Sequence, residues 1–426
     1  MLLDMSLEVH MSEPDDFNCV ELHSSITEVA HAKGIHDFQY DVDCISGKRA
    51  NYIANVFRVD IKDTDSAKNT IRVIVKTLVN TERQVLFHKL HEREVLAYRH
   101  VIYNFKVLQN VLYEHERLVL SDCLFSNTEK SNEIIILEDL KTAGFEIDRK
   151  LSKFQYLEFE QITAVLSELA KFHALSFIFE SQDPEKFGEV KLLFEDLLYQ
   201  NHFLNKSKLR DYFFESFEMS LNQVTDLEAK KKLEKIQQKL LEMMQIYTKP
   251  SKTNVLCHGD CWVNNMLFKY EVRFLADLRT KVCFIDFQAM RYANPVTDIM
   301  YFLFICTDSV FRLNHIEELK IVYYDSLKVF LKKFNIDVES VYTRQTFTND
   351  MEEFLPYGLL TALIELRIVT TAHDEDTMAQ GFKSHSCLNL HEVTEDLELF
   401  KLRVNDVVNE AVGNGVLDRL IEEINM

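Results

Sequence analysis

The chain has 426 residues but only nine glycines, five prolines and one tryptophan. Folds built from many tight turns consume glycine and proline, so this scarcity excludes a many-turned all-β architecture and favours helices around a limited sheet. Eight cysteines are present, without a CxxC pair or a regular small-domain spacing. Cys257 and Cys261 flank His258, yet a zinc site there would need two further ligands nearby, so reduced and mostly buried thiols are the expectation. Positive charge is also short: 48 Lys and Arg stand against 68 Asp and Glu, a net charge of −20 at pH 7. A surface this acidic repels phosphate backbones and anionic headgroups, so neither nucleic acid nor a membrane is an expected partner. The densest basic run, Lys230 to Lys232, opens a stretch in which Leu233, Ile236, Leu240, Met243 and Met244 fall mostly three or four apart, the pattern of a solvated helix face. No apolar run reads as long enough for a bilayer, and the first residues show no basic segment ahead of an apolar core. The cytosol is the expected location.

What is present is 47% hydrophobic residues, enough for a large core, in a readable order. The segment up to about Val42 reads as helix and loop. Tyr52, Ala54, Val56 and Val59 lie in an extended stretch, Lys62 to Asn69 reads as a polar turn, and Ile71 to Lys76 as a second strand. Helical spacing follows over Val85 to Tyr103, then short strands near Arg117 to Leu120 and Ile134 to Leu137. Beyond Gly144 the chain reads as mostly helical. Ile162, Val165, Leu166, Leu169, Phe172 and Leu175 form an i, i+3, i+4, i+7 stripe, and further helices are predicted over Glu189 to Leu204, Asp211 to Leu221 and Leu227 to Tyr247. Strands are predicted at Asn254 to Cys257, Asn265 to Lys269 and Lys281 to Ile285, with helices again from Asp298. The implied fold class is α+β: a small antiparallel sheet lobe over residues 1–140 and a large helical lobe over residues 141–426.

Chemistry concentrates where strands meet loops. His258-Gly259-Asp260-Cys261-Trp262-Val263-Asn264-Asn265 fits HxDxxxxN, and Phe284-Ile285-Asp286-Phe287-Gln288 follows after a predicted hairpin. Phosphoryl transfer needs a carboxylate to take or orient a hydroxyl proton, and oxygen ligands for magnesium, because catalysis there is mostly positioning and charge neutralisation. Asp260 supplies the base, and Asn265 and Asp286 the metal ligands. A turn and a strand cap would use the same residue types, so it is the ordered pair of motifs that argues for catalysis. Lys76 closes an apolar strand and Glu94 lies on the next helix. An ion pair between them would aim the ammonium at the α- and β-phosphates of ATP. Leu137-Glu138-Asp139-Leu140, at the end of the sheet lobe, is a hinge whose Glu138 carbonyl and Leu140 amide would meet the adenine edge. The phosphate loop has Gly47 alone among Cys44 to Asn51, so it is no GxGxxG; Lys48 and Arg49 read as a solvated tip. His173, beside the apolar stripe, reads as a satisfied core histidine.

These residues, with Tyr98 four after Glu94 and with Pro295-Val296-Thr297-Asp298, resemble the ecdysteroid kinase-like group, also called CHK-kinase-like, from about Gly47 to about Asp308. The resemblance implies the protein-kinase-like bilobal fold shared with choline kinases and aminoglycoside phosphotransferases. It also implies transfer of the γ-phosphate of ATP, with magnesium, to a hydroxyl of an ecdysteroid or another lipophilic small molecule. Asp298 would then brace the catalytic loop. In the phosphate loop Asn55 stands where the family usually has Ser. The catalytic loop has no Arg between His258 and Asp260, so control by activation-loop phosphorylation is not expected. The competing readings are a ligand carrier on the same scaffold and a choline or ethanolamine kinase. The density of Phe, Leu, Tyr and Met between Leu193 and Tyr247 and between Met351 and Leu366 suits a rigid apolar acceptor better than a small cation.

Overall fold

The computed structural model of the protein describes residues 20–44, 54–65, 69–78, 84–130, 132–147, 156–207, 209–273, 277–370 and 397–425. Two units form. Among the described residues the first comprises those up to Arg99 together with Ser121–Gly144, and the second comprises His100–Leu120, 145–370 and 397–425. The division thus differs from a single boundary at residue 140. Residues 100–120 join the second unit because Phe105 packs edge-on to Phe172, ring centroids 5.4 Å apart.

The first unit is a five-stranded antiparallel sheet with strands β1 (Phe38–Cys44), β2 (Ala54–Asp63), β3 (Thr70–Leu78), β4 (Cys123–Asn127) and β5 (Ile134–Glu138), ordered β1-β2-β3-β5-β4. Helix α1 (Val20–Ala32) lays Leu22, Ile26, Val29 and Ala30 on Phe57, Val59, Ile61, Val73, Val75, Ile134 and Ile136 of one sheet face. Each fully buried aliphatic side chain of this kind contributes about 1.5–3 kcal/mol. Side chains alternate along a strand, so with Val73 and Val75 buried under α1, Lys76 points to the opposite face, where α2 (Gln84–Leu96) lies. That alternation is what aims the lysine.

Three expectations need correction here. Phe38, Tyr40 and Val42 alternate with Gln39, Asp41 and Asp43 and pair with β2 as a strand, where helix and loop were read. The helix beginning at Gln84 passes through a π turn, Ala97–Ile102, before α3 (Tyr103–Leu108). Residues 117–120 are not a strand. Val119 makes an isolated bridge to Cys283, and the Gln109 side chain holds Leu118 at both its N–H (2.7 Å) and its carbonyl (3.3 Å), satisfying backbone groups that a ladder would otherwise pair.

The second unit is helical around two small β pairs. Helices α4 (Phe159–Gln182), α5 (Pro184–Leu193), α6 (Asn201–Ser207), α7 (Leu209–Gln223), α8 (Leu227–Gln237) and α9 (Leu240–Thr248) lead to strand β6 (Val255–Cys257). A hairpin of β7 (Met266–Arg273) and β8 (Asp277–Phe284) follows, and β9 (Arg291–Ala293) returns antiparallel to β6. Then come α10 (Val296–Cys306), α11 (Ser309–Lys332), α12 (Val338–Val341), α13 (Arg344–Glu353), α14 (Leu355–Val369) and two last helices, Leu397–Gly413 and Val416–Asn425. Contrary to expectation, α4 is long and apolar enough to cross a membrane by length and composition. Its most apolar window is 78% buried inside the protein, and Glu168 with Lys171 forms an ion pair of 2.7 Å on its rim. Every residue of α10 is buried. Gly358 lets α14 approach it closely, since a Cβ there would stand 2.5 Å from Phe304 Cδ2.

Candidate active site

In the first unit, Lys76 Nζ donates to Glu94 Oε2 at 2.6 Å, with the two side chains 14% and 3% exposed. The strand pleat brings the pair together. At the end of β5, the Glu138 N–H donates to Asp122 O at 2.9 Å, and its carbonyl accepts from Ser121 Oγ at 3.3 Å, which leaves one lone pair of that oxygen. Leu140 is buried and opens a 3₁₀ turn, Leu140–Ala143. Asp139 between them is the anchor: it accepts from Arg58 Nε at 2.7 Å and from the Lys141 N–H at 3.0 Å. The Gly47 loop, with Lys48, Arg49 and Asn51, lies outside the described residues.

In the second unit, β6 delivers the chain into a loop whose shape is dictated from α10. The Asp298 carboxylate is buried and accepts the N–H of His258 on Oδ2 at 2.6 Å and the N–H of Gly259 on Oδ1 at 2.9 Å. Oδ2 also meets His173 Nε2 at 3.1 Å, and His173 Nδ1 lies 2.8 Å from the Tyr323 hydroxyl of α11. Burial works against the charged form of Asp298, but the His173 hydrogen bond and the charges of His173, Arg291 and His258 hold its carboxyl below the usual range. Gly259 has φ +88°, and a Cβ there would sit 2.0 Å from the Ala289 carbonyl oxygen, so no side chain fits.

Asp260 follows, half-buried, with both oxygens engaged. Oδ1 accepts from the Tyr301 hydroxyl of α10 at 2.7 Å, and Oδ2 accepts from Asn265 Nδ2 at 2.9 Å. Burial first, and the nearby Asp286 charge, push its carboxyl up; the Tyr301 and Asn265 hydrogen bonds pull the other way. Asn265 Nδ2 also donates to Asp260 O at 3.0 Å, which commits the amide nitrogen and leaves Oδ1 as the oxygen available to a cation. The Ile285 N–H donates to Asn265 O at 3.0 Å, and His258 Nε2 reaches Ile285 O at 3.0 Å, so Asp286 is held beside the loop. Asp286 itself adopts φ 66°, a left-handed conformation that a non-glycine residue holds at a cost where the surroundings dictate it. Two oxygen donors at this spacing of motifs fit a hard cation such as magnesium.

The ecdysteroid kinase-like family model matches residues 48–336, more than half of the chain. The chain belongs to the ecdysteroid kinase-like family. That membership supports a kinase-like phosphotransferase of small molecules, on a chain whose fold is α+β with a five-stranded antiparallel sheet and a helical second unit. Among solved structures, the chain is similar to a macrolide 2′-phosphotransferase from Brachybacterium faecium, an apoenzyme, at 13% identity and a TM-score of 0.36, over 83% of this chain and 96% of that chain. Among curated proteins none matches.

Three residues of this ecdysteroid kinase-like site were not singled out from sequence as parts of it. Tyr301 lay inside an apolar run. Arg291, buried, donates to Gly259 O at 3.2 Å and to the Tyr357 hydroxyl of α14 at 2.7 Å. His173 is a satisfied core histidine as read, but what satisfies it is the carboxylate that shapes the loop. His173, Cys257 and Asp298 also place metal-type donor atoms within 4.8 Å of one another. The set does not suit a metal: both histidine nitrogens and both carboxylate oxygens are spent on protein partners, and burial keeps the Cys257 thiol protonated.

Proposed function

We infer that this chain transfers the γ-phosphate of ATP, with magnesium, to a hydroxyl of a small lipophilic acceptor of the ecdysteroid type, and that it does so in the cytosol. The observation that carries the reading is Asp260, a carboxylate fixed through both oxygens on a loop that Asp298 pins by its backbone. Magnesium and ATP supply the phosphoryl group and neutralise its charge. The residues for holding them are Asn265 and Asp286 at the metal, Lys76 steadied by Glu94 at the α- and β-phosphates, and the Glu138 carbonyl with the Leu140 amide at adenine. Asp260 accepts the acceptor's hydroxyl proton as the oxygen bonds to phosphorus and ADP departs. Tyr301 and Asn265 orient its carboxylate, so proton transfer needs no rearrangement of the base. The half-buried apolar side chains around α7, Tyr212, Phe214 and Met219, suit a lipophilic acceptor better than a hydrophilic one.

Turnover of ecdysone with magnesium ATP tests the reading. Asp260→Ala should lower kcat by about 10²- to 10⁴-fold with little change in the KM for ATP. Asp286→Asn should remove most of the magnesium-dependent rate. Full activity in either variant would take that residue out of the mechanism.

A further inference from the structure

Trp262 is the only tryptophan in the chain, and it stands two residues after Asp260. Its backbone N–H donates to Asp260 O at 3.1 Å, closing a three-residue turn around Cys261. Cys261 at the centre of that turn is fully buried, whereas Asp260 and Trp262 on either side of it are half-buried. The turn therefore sends the cysteine into the core and brings the carboxylate and the indole to one partly open rim. Val263 and Asn264 continue that rim, also half-buried.

The other rings of this site are locked together. His258 lies 5.9 Å from Phe284 and 5.2 Å from Phe287 between ring centroids, and Phe287 stacks on Phe172 at 5.9 Å. Among the described residues, Trp262 shares no ring contact of this kind, and its Nε1 is covered yet finds no hydrogen-bond acceptor. The donors beside it are spent, since the Tyr301 hydroxyl and the Asn265 amide both go to Asp260. A covered tryptophan N–H ordinarily has a partner, and leaving it without one is costly. No hydrogen bond of the indole resists a turn of the ring, and a turn that gives Nε1 an acceptor is favourable.

We propose that Trp262 is an acceptor-binding residue. The indole turns to lay its face on the apolar skeleton of an uncharged lipophile whose reacting hydroxyl lies at Asp260. Its Nε1–H then donates to a second oxygen of that skeleton. The proposal rests on the phosphotransfer reading and adds to it the group that selects the acceptor. The ligand class follows from the donor: a quaternary ammonium is attracted to the ring face but leaves the N–H unpaired. A skeleton with a single hydroxyl, spent on Asp260, leaves it unpaired as well. Polyoxygenated lipophiles are therefore preferred over both.

Because the chain has a single tryptophan, its tryptophan emission reports this side chain alone. Ecdysone, androstanol (a steroid with one hydroxyl and no other oxygen) and choline are the probes. Each is titrated into the full chain without nucleotide and followed by emission and by calorimetry. Ecdysone should change the emission saturably, with the midpoint that the heats give. Trp262→Phe keeps an aromatic face and loses the donor. It should weaken ecdysone roughly tenfold and androstanol less than about twofold, the contrast expected of one hydrogen bond. Trp262→Ala should weaken both steroids; if it fails to fold, Trp262→Phe decides. With magnesium ATP, Trp262→Phe should raise the KM for ecdysone by a larger factor than the KM for ATP, a split that a merely loosened loop would not give. The proposal is overturned by ecdysone heats without an emission change, by no ecdysone binding, or by choline outranking ecdysone. Equal effects of Trp262→Phe on ecdysone and androstanol would also overturn it. Ecdysone binding as proposed, without phosphate transfer, would sink the kinase reading alone.

Discussion

The two units hold their candidate residues by opposite means. In the first, the ion pair of two long side chains, Lys76 and Glu94, steadies the cation, and the sheet beneath it is stabilised by an apolar core on the other face. In the second, the loop carrying Asp260 is woven into the fold through Asp298, His173, Arg291 and Tyr301, all drawn from helices or strands that also form the core. Function and stability are separable in the first arrangement and fused in the second.

The largest expected effect tests the fused side. Asp298→Ala leaves two backbone N–H groups and His173 without their acceptor inside the protein, and should cost about 3–5 kcal/mol in urea unfolding. Asp298→Asn, which keeps the shape and one acceptor oxygen, should cost less and still lose activity through a misplaced loop. A loss below about 1 kcal/mol for the alanine variant would show that the loop is held by other contacts.

On the separable side, Lys76→Ala should weaken ATP binding by roughly ten- to a hundredfold, the value of a charged hydrogen bond, while the midpoint of unfolding moves little. Glu94→Gln should give the smallest effect, a few-fold loss in ATP affinity at nearly unchanged stability, because the amide still accepts from the ammonium without its charge. Lys76→Ala unfolding as readily as Asp298→Ala would erase the contrast.

Legibility followed the same division. The motif residues Asp260, Asn265 and Asp286 were readable because their spacing within HxDxxxxN and the hairpin between them are local properties. Lys76 and Glu94 were readable because a strand followed by a helix leaves few places for each to point. Asp298 carried a role only through the family resemblance. Tyr301 and Arg291 carried no signal, since their partners are separated in the chain by 41 and 32 residues and only the packed second unit brings them together. Strand β1 was legible and was missed: the alternation Phe38, Tyr40, Val42 was present, but it sits beside a helix that drew the whole segment into one reading. The strand expected at residues 117–120 failed for a different reason, because a glutamine side chain can satisfy an extended backbone as well as a neighbouring strand can.

The bonds from Asp298 to the backbone of His258 and Gly259 span 40 and 39 residues, and the histidine that steadies Asp298 is steadied in turn by Tyr323, 150 residues after it. Contacts so distant in sequence close late. On the ribosome, a growing chain that has already exposed Lys76, Asp260, Asn265 and Asp286 still lacks the carboxylate that gives the loop its shape. On the phosphotransfer reading, competence therefore waits for α10 and α11 to dock, and an emerging chain carries Asp260, Asn265 and Asp286 before the loop that arranges them has its shape.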